Sequence, residues 1–140
     1  MIVDRKAILR ILPHKEPMVL VSQGIWKDEI YFEGETHSNL VEPFLEGGQL
    51  PGWLSIELAA QASAVHSGAS AAQNHKTMLH GYLVGVSQWR HRNVAYFGDP
   101  IVSHIQISST LGPLILVNAH VELKGETIAS GSLKFHVEFS

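Results

Sequence analysis

The sequence of 140 residues contains no cysteine and no concentration of charge of one sign. Without cysteine, the chain has neither a disulfide framework nor thiolate chemistry. Ten Lys and Arg against thirteen Asp and Glu give a net charge of -3, and the basic residues are scattered. This distribution excludes the basic patch that is typical of proteins binding nucleic acid or an anionic membrane surface. No glycine stands in a phosphate-binding loop, so the sequence predicts no nucleotide site and no cofactor.

The N-terminus also lacks the pattern of a signal peptide. Charged residues, Asp4 to Lys6, precede only a short apolar stretch, which predicts a cytoplasmic protein. The length suits a single domain, residues 1–140, large enough to bury a core of its own. The longest weakly charged stretch, Leu50–Gly68, is rich in alanine and includes Glu57 and Gln61. A membrane span is therefore not predicted.

That stretch predicts the helix around which the rest of the chain is arranged. Pro51 and Gly52 suit a helix start, and apolar residues recur at helical spacing from Trp53 to Ala72. Small side chains on most faces are typical of a buried helix that a sheet approaches closely. Its one carboxylate, Glu57, has Gln61 one turn later on the same face, where the amide can hydrogen-bond the acid.

The flanking segments predict a short helix and several antiparallel strands. Asp4 suits the N-cap of a helix that ends near Leu12, before Pro13. A polar loop is expected from His37 to Gly52. The predicted strands, separated by turn residues, are Met18–Trp26, Ile30–Thr36, Leu79–Trp89, Pro100–Thr110, Leu114–Leu123 and Thr127–Glu138. Together these elements predict an α+β fold in which a curved antiparallel sheet wraps one long helix.

Three segments in order resemble one enzyme family. They are Leu12-Pro13-His14-Lys15-Glu16-Pro17, Glu42-Pro43-Phe44 and the run from Pro51-Gly52 to Glu57 and Gln61. The chain resembles the β-hydroxyacyl-acyl carrier protein dehydratases of the FabZ type over nearly its whole length, and Gly98-Asp99 is similar to a later turn of that family. The resemblance implies a hot-dog fold, with the long helix held inside the sheet, and a dimer with active sites at the subunit interface.

One departure from the dehydratases bears on the chemistry. Their catalytic histidine lies in a loop before the helix, where this chain has the shorter segment Glu46–Gly52, with Gly48 in the register of the histidine. The resemblance therefore supports Glu57 as the acid and Gln61 as its orienting partner, but it supplies no base. The shortened loop most resembles the dehydratase-like proteins of aryl-polyene gene clusters, which act beside a second dehydratase.

Dehydration of a 3-hydroxyacyl thioester needs a base, an acid and donors for the developing oxyanion. Glu57 is the candidate acid, and backbone amides of Gly52, Trp53 and Leu54 are candidate donors because a helix N-terminus has unpaired N–H groups. His14 and His37 are the candidate bases. Alternatively, His14 hydrogen-bonds the backbone after the first helix, and His37 is a residue of the loop before the long helix.

The other histidines give no further site. His66 is half a turn off the face of Glu57, and five others are scattered along predicted strands. No pair shows metal-ligand spacing, so the sequence predicts no metal. Tyr82 follows the helix on a strand that can line an acyl tunnel, although core packing explains its neighbours equally well.

The sequence thus predicts a 3-hydroxyacyl-carrier dehydratase-like protein. Its expected partners are an acyl carrier protein bearing a phosphopantetheine-linked acyl chain and a second hot-dog subunit, as a homodimer or as a hetero-oligomer with another dehydratase. Two other functions stay open. A thioesterase of the same fold would use Glu57 to activate water, and a non-catalytic subunit would complete the interface of an active dehydratase.

Overall fold

The central helix organises the fold, as predicted. In the computed structural model, which describes residues 1–140, the helix α3 spans Gly52–Gln73 and follows Pro51. Its buried side chains lie on several faces, including Leu54, Leu58 and Val65. The remaining elements are β1 (Ile2–Val3), α1 (Arg5–Ile11), β2 (Gln23–Trp26), β3 (Tyr31–Thr36), α2 (Ser38–Val41), β4 (Met78–His91), β5 (Ile101–Leu111), β6 (Leu114–Leu123) and β7 (Glu126–Phe139).

The strands form one antiparallel sheet of seven strands in the order β1-β2-β3-β5-β6-β7-β4. Burial alternates along β3, the first half of β5 and β6, so one face of the sheet packs on α3 and the other is open. On β5, for example, Ile101 and Ile105 are buried while His104 points to the outer face. The predicted α+β hot-dog arrangement, a sheet wrapped around a long helix, is confirmed.

Small residues let the sheet approach the helix closely. A Cβ built on Gly34 of β3 would lie 3.0 Å from the Cβ of Ala62 on α3. A larger residue at either position would push the two elements apart, so the alanine-rich composition of the helix serves its contact with the sheet. No helix in the chain combines the length and the hydropathy needed to cross a membrane.

The strand predicted over Met18–Trp26 is shorter than expected, since only Gln23–Trp26 joins the sheet. The apolar run before it is buried, but side chains rather than a neighbouring strand satisfy its backbone. Arg5 Nη1 donates to the carbonyl oxygens of Val19 and Val21, and Thr36 Oγ1 donates to that of Leu20. Periodicity does not distinguish a buried strand from an extended segment that is bonded by side chains.

The segment predicted as a loop, His37–Gly52, contains the short helix α2, a 3-10 turn over Glu42–Phe44 and a tight turn. In that turn the backbone groups of Glu46 and Gln49 exchange hydrogen bonds of 3.0 Å. Gly47 and Gly48 between them have φ values of +57° and +76°, a conformation that suits glycine. The position in register with the family histidine is thus a turn position that disfavours any larger residue.

Candidate active site

Glu57 and Gln61 meet on one face of α3, as their spacing predicted. Gln61 Nε2 donates to Glu57 Oε1 over 2.8 Å. The carboxylate is not fully buried, because the Glu57 side chain keeps 32% of its exposure. The sequence suggested a buried acid, whereas the structure places this group at the wall of a groove where a ligand can reach it.

Gln61 is itself held by the extended segment after α1. Its Oε1 accepts from the Leu20 amide over 2.8 Å, and its Nε2 donates to the Met18 carbonyl over 2.7 Å. Gln61 is 1% exposed, and both of its amide hydrogens and its carbonyl oxygen have partners. The amide orientation is therefore fixed by the backbone, and the carboxylate of Glu57 is oriented through it.

His14 lies beside the same carboxylate. Its Nε2 is 3.2 Å from Glu57 Oε1, and the His14 side chain is 35% exposed. Its Nδ1 is buried and has no hydrogen-bond partner, so Nε2 is the ring nitrogen that faces the groove carboxylate. Gln61 and His14 both approach Oε1, while no hydrogen bond within the chain uses Glu57 Oε2. One oxygen is thus held, and the other is free to act on a ligand.

A groove of about 280 Å³ extends from this pair along α3. The helix contributes small residues to it, and β4 contributes Tyr82, the residue predicted to line an acyl tunnel. The other lining residues are Pro13, His14, Glu57, Ala60, Gln61, Ser63, Ala64, Ser67, Met78, Gly81, Leu83, Phe135 and Val137. Apolar side chains together with the polar groups of His14, Glu57 and Gln61 suit a ligand that has an alkyl chain and a polar head.

The start of α3 lies outside the groove lining. Leu54 is fully buried and its amide donates to the Pro51 carbonyl over 3.1 Å, so this N–H group is already occupied. Gly52 and Trp53 occupy the first helical positions, where no earlier carbonyl of the helix accepts from the backbone amide. Trp53 is 47% exposed. Of the three predicted oxyanion donors, the first two keep an amide available.

His37, the other candidate base, is separated from Glu57. Its Nε2 lies 2.9 Å from Glu35 Oε1, and the alternating burial of β3 places Glu35 on the outer face of the sheet. α3 and the groove lie on the inner face. The structure therefore brings together His14, Glu57, Gln61 and Tyr82, and it does not bring His37 to them.

His91 is one of the strand histidines for which the sequence predicts no site. Its Nε2 lies 3.0 Å from the Leu50 carbonyl oxygen, and its ring would be 3.6 Å from a Cβ built on Gly52. The ring packs against the start of α3, so a larger residue at position 52 would meet it. Nothing in the local sequence indicates this contact, because β4 and the helix start are joined only by the fold.

His66 on α3 does not belong to the groove. Its Nε2 lies 2.9 Å from the Asp28 carbonyl oxygen and its ring stacks on Phe32 with centroids 5.6 Å apart. Burial lowers the pKa of His66, and the hydrogen bond to the Asp28 backbone opposes that shift only partly. The residue is a neutral core histidine.

The fold is that of a hot-dog protein, and the comparisons with known proteins assign it to the dehydratase type. The family model for the ApeP-like proteins, described as ApeP dehydratase, matches residues 6–137. The chain therefore belongs to the ApeP-like dehydratase family.

Individual relatives are similar over their whole length. The 3-hydroxyacyl-[acyl-carrier-protein] dehydratase FabZ of Streptococcus thermophilus is 28% identical, with 98% of this chain and 99% of the relative covered. FabZ of Caldicellulosiruptor saccharolyticus is also 28% identical, over 96% of this chain and 99% of its own. The aryl-polyene resemblance inferred from the shortened loop is confirmed by the family match.

Solved structures show the same fold. A chain of the dehydratase heterocomplex ApeI:P from Xenorhabdus doucetiae superposes with a TM-score of 0.83 at 26% identity, over 94% of this chain and 90% of that chain. A mutant of the thioesterase PA1618 from Pseudomonas aeruginosa superposes with a TM-score of 0.66 at 12% identity, over 84% of this chain and 81% of that chain. The second similarity concerns the fold alone.

Proposed function

We propose that this protein dehydrates 3-hydroxyacyl thioesters carried on the phosphopantetheine arm of an acyl carrier protein, and that His14 and Glu57 are its catalytic residues. The observation that supports the proposal is the contact of 3.2 Å between His14 Nε2 and Glu57 Oε1 in the wall of a groove that apolar side chains also line. His14 would supply the base that the shortened loop Glu46–Gly52 of this chain lacks.

The two groups divide the elimination between them. His14 Nε2 takes the proton from C2, and the electron pair of that C–H bond forms the C2–C3 double bond. Glu57 donates a proton from Oε2 to the hydroxyl on C3, whose C–O bond breaks to release water. Afterwards His14 holds a proton and Glu57 has lost one. Exchange with water then removes the proton from His14 and returns one to Glu57 Oε2, which restores the starting state.

The orientation of Glu57 supports this assignment. Gln61 donates to Oε1, so the unpaired Oε2 is the oxygen that can reach a substrate hydroxyl. The enolate-like oxygen of the thioester needs hydrogen-bond donors, and the amides of Gly52 and Trp53 are the backbone candidates. Tyr82 and the small residues of α3 would then hold the alkyl chain along the groove.

The exposed edge of the sheet supports an oligomer. β4 pairs only with β7 and ends the sheet, and its 14 residues carry exposed apolar side chains. These are Leu79, Tyr82, Leu83, Val84 and Val86, which are 40–56% exposed. A long apolar edge strand has unpaired backbone N–H and C=O groups that can pair with another chain. We expect a second hot-dog subunit, identical or of another dehydratase, to cover this edge and to extend the groove.

A single-turnover assay by mass spectrometry tests the activity. The purified chain is mixed with a 3-hydroxyacyl thioester on carrier protein, beside the Glu57→Gln and Glu35→Gln variants. Glu35 is a matched control, because its side chain has the same exposure of 32% and also lies against a histidine. We expect the carrier-bound acyl group to lose the mass of one water in the wild type and in Glu35→Gln, but not in Glu57→Gln.

Two other outcomes of this assay would contradict parts of the proposal. Release of the free acid would support a thioesterase, in which Glu57 activates water, and would contradict the dehydratase proposal. Retention of full dehydration by Glu57→Gln would remove Glu57 from the mechanism.

A second function, a non-catalytic subunit of a heteromeric dehydratase, is favoured by two observations. Gly48 replaces the loop histidine, and the structural relative ApeI:P is a dehydratase heterocomplex. In this case the folded chain alone leaves the substrate unchanged, and activity depends on a partner. Dehydration by a mixture of this chain with a second dehydratase subunit, unaffected by Glu57→Gln and His14→Gln, would establish that role.

A further inference from the structure

Two histidines and two glutamates form a cluster on the outer face of the sheet. His104 Nε2 lies 2.6 Å and His120 Nε2 lies 3.0 Å from the same oxygen, Glu122 Oε1. On its other side, His104 Nδ1 lies 3.5 Å from Glu33 Oε1. We call Glu33, His104, His120 and Glu122 the outer-face cluster.

The strand register builds this cluster from residues far apart in sequence. Glu33 on β3 is opposite His104 on β5, and His104 is opposite His120 on β6. Glu122 follows two residues after His120 and therefore points to the same face. Because the buried residues of these strands face α3, the outer-face cluster and Glu57 lie on opposite faces of the sheet.

We propose that the outer-face cluster binds a divalent transition-metal cation of the zinc type, with His104 Nε2, His120 Nε2 and a Glu122 oxygen as its ligands. The ligand atoms of these three residues lie within 4.8 Å of one another. Tetrahedral zinc with bonds near 2.0–2.1 Å to nitrogen places its ligand atoms about 3.3 Å apart. Rotation of the imidazole rings out of their parallel stack would convert the contacts with Glu122 Oε1 into coordination of an ion between the three groups.

The two rings are neighbours but are not yet turned toward a common ion. Their centroids are 4.4 Å apart and their planes differ by 8°, and because an imidazole nitrogen binds a metal in the plane of its ring, the rings must turn out of this stack to share one ion. The His104, His120 and Glu122 side chains keep 28%, 43% and 25% of their exposure. The site is therefore open on one side, where water can occupy the fourth position of the ion.

Glu33 supplies the outer partner that such a site needs. A ligating histidine usually donates its second ring N–H to a carboxylate, which fixes the tautomer and the ring direction. Glu33 stands at His104 Nδ1, and Lys27 Nζ in turn holds Glu33 Oε1 over 2.7 Å. Lys27 and Arg90 line the same pocket as Glu33, His104 and His120, so two cationic side chains lie near the two carboxylates.

Isothermal titration of the metal-stripped full chain with Zn²⁺, in competition with a chelator, tests the proposal. The variants are His120→Gln and Glu122→Gln, each of which removes one ligand. The control is His136→Gln on β7, which removes a sheet histidine outside the cluster. We expect one bound Zn²⁺ per chain, Mg²⁺ to be bound far more weakly because it prefers oxygen ligands, and His136→Gln to keep the wild-type affinity.

The loss of Zn²⁺ affinity in each variant distinguishes the metal ligands from Glu33, which contacts a ligand. Removal of a ligand should weaken Zn²⁺ at least about tenfold, and Glu33→Gln, which removes the outer partner, should weaken it by about tenfold or less. Saturating Zn²⁺ should also raise the melting temperature of the wild type but not of Glu122→Gln. Equal affinity in wild type, His120→Gln and Glu122→Gln would overturn the proposal, as would a loss in His136→Gln of the same size.

Discussion

Replacement of Gln61 by leucine tests how much the free energy of unfolding depends on the side-chain amide of this one residue. The Gln61→Leu variant keeps the approximate volume of the side chain and removes all three hydrogen bonds that it makes. The Leu20 amide is then buried without a partner, because Leu20 is fully buried. Such a donor costs about 1–3 kcal/mol. The Met18 carbonyl, on a residue that is 40% exposed, can turn to water and adds about 0.5–1 kcal/mol.

We therefore expect Gln61→Leu to lose about 1.5–4 kcal/mol of unfolding free energy, measured by urea denaturation. With a denaturant slope of about 2 kcal/mol/M, the midpoint falls by about 0.8–2 M. The matched control is Gln73→Leu, which removes an exposed glutamine from the end of the same helix and should change stability by about 0.5 kcal/mol or less. A loss below about 1 kcal/mol in Gln61→Leu would refute the reasoning that these buried groups depend on Gln61.

Three further predictions follow from other parts of the fold. Burial lowers the pKa of His66 in the folded chain below 6.5, so the unfolded chain takes up a proton there that the folded chain does not. The free energy of unfolding should therefore fall as the pH drops below 6.5. This fall should be shallower in His66→Phe than in the exposed-site control His75→Ala. Val84→Glu on the edge of β4 should reduce the mass measured by light scattering to that of one chain, whereas Leu111→Glu, on a more exposed apolar residue at the end of β5, should not. Gly48→Ala should cost about 1–2 kcal/mol in thermal unfolding, because φ is +76° there; an unchanged melting temperature would contradict the turn geometry.

The sequence predicted the features that depend on local pattern. The alanine-rich run fixes the long helix, and the spacing of Glu57 and Gln61 fixes their common face whatever surrounds it. The turn residues likewise located the strands after α3 to within a few positions. These features follow from chain periodicity, which is a property of neighbouring residues.

The features that the sequence left open depend on tertiary contacts. The run Val19–Val21 has the composition of a strand, yet Arg5 and Gln61 bind the backbone around it instead. His14 and His37 were both candidate bases, and only the packing of α1 and β3 against α3 decides which one is near Glu57. No spacing along the chain distinguishes these cases.

The outer-face cluster shows the same limit. His104 and His120 are sixteen positions apart in the sequence, and the spacing of His120 and Glu122 alone supplies too few ligands to predict a metal. They become neighbours because β5 and β6 pair in a register that sets one opposite the other. Register of this kind is fixed by burial of the opposite face, which a single strand does not reveal.

The central claim is that His14 and Glu57 act as one catalytic unit. The most direct test is the single-turnover dehydration rate of His14→Gln, Glu57→Gln and the double variant, with His37→Gln as control. When two residues act in one step, removal of either one removes the contribution of both. The dehydration rate of each single variant should therefore fall about 10²-fold or more. The rate of the double variant should fall no further than that of the slower single variant.

His37→Gln should keep the wild-type rate, because His37 is bound to Glu35 on the other face of the sheet. A His14→Gln rate equal to that of the wild type, or losses that multiply in the double variant, would contradict the account. A matching loss in His37→Gln would assign the base to His37 instead.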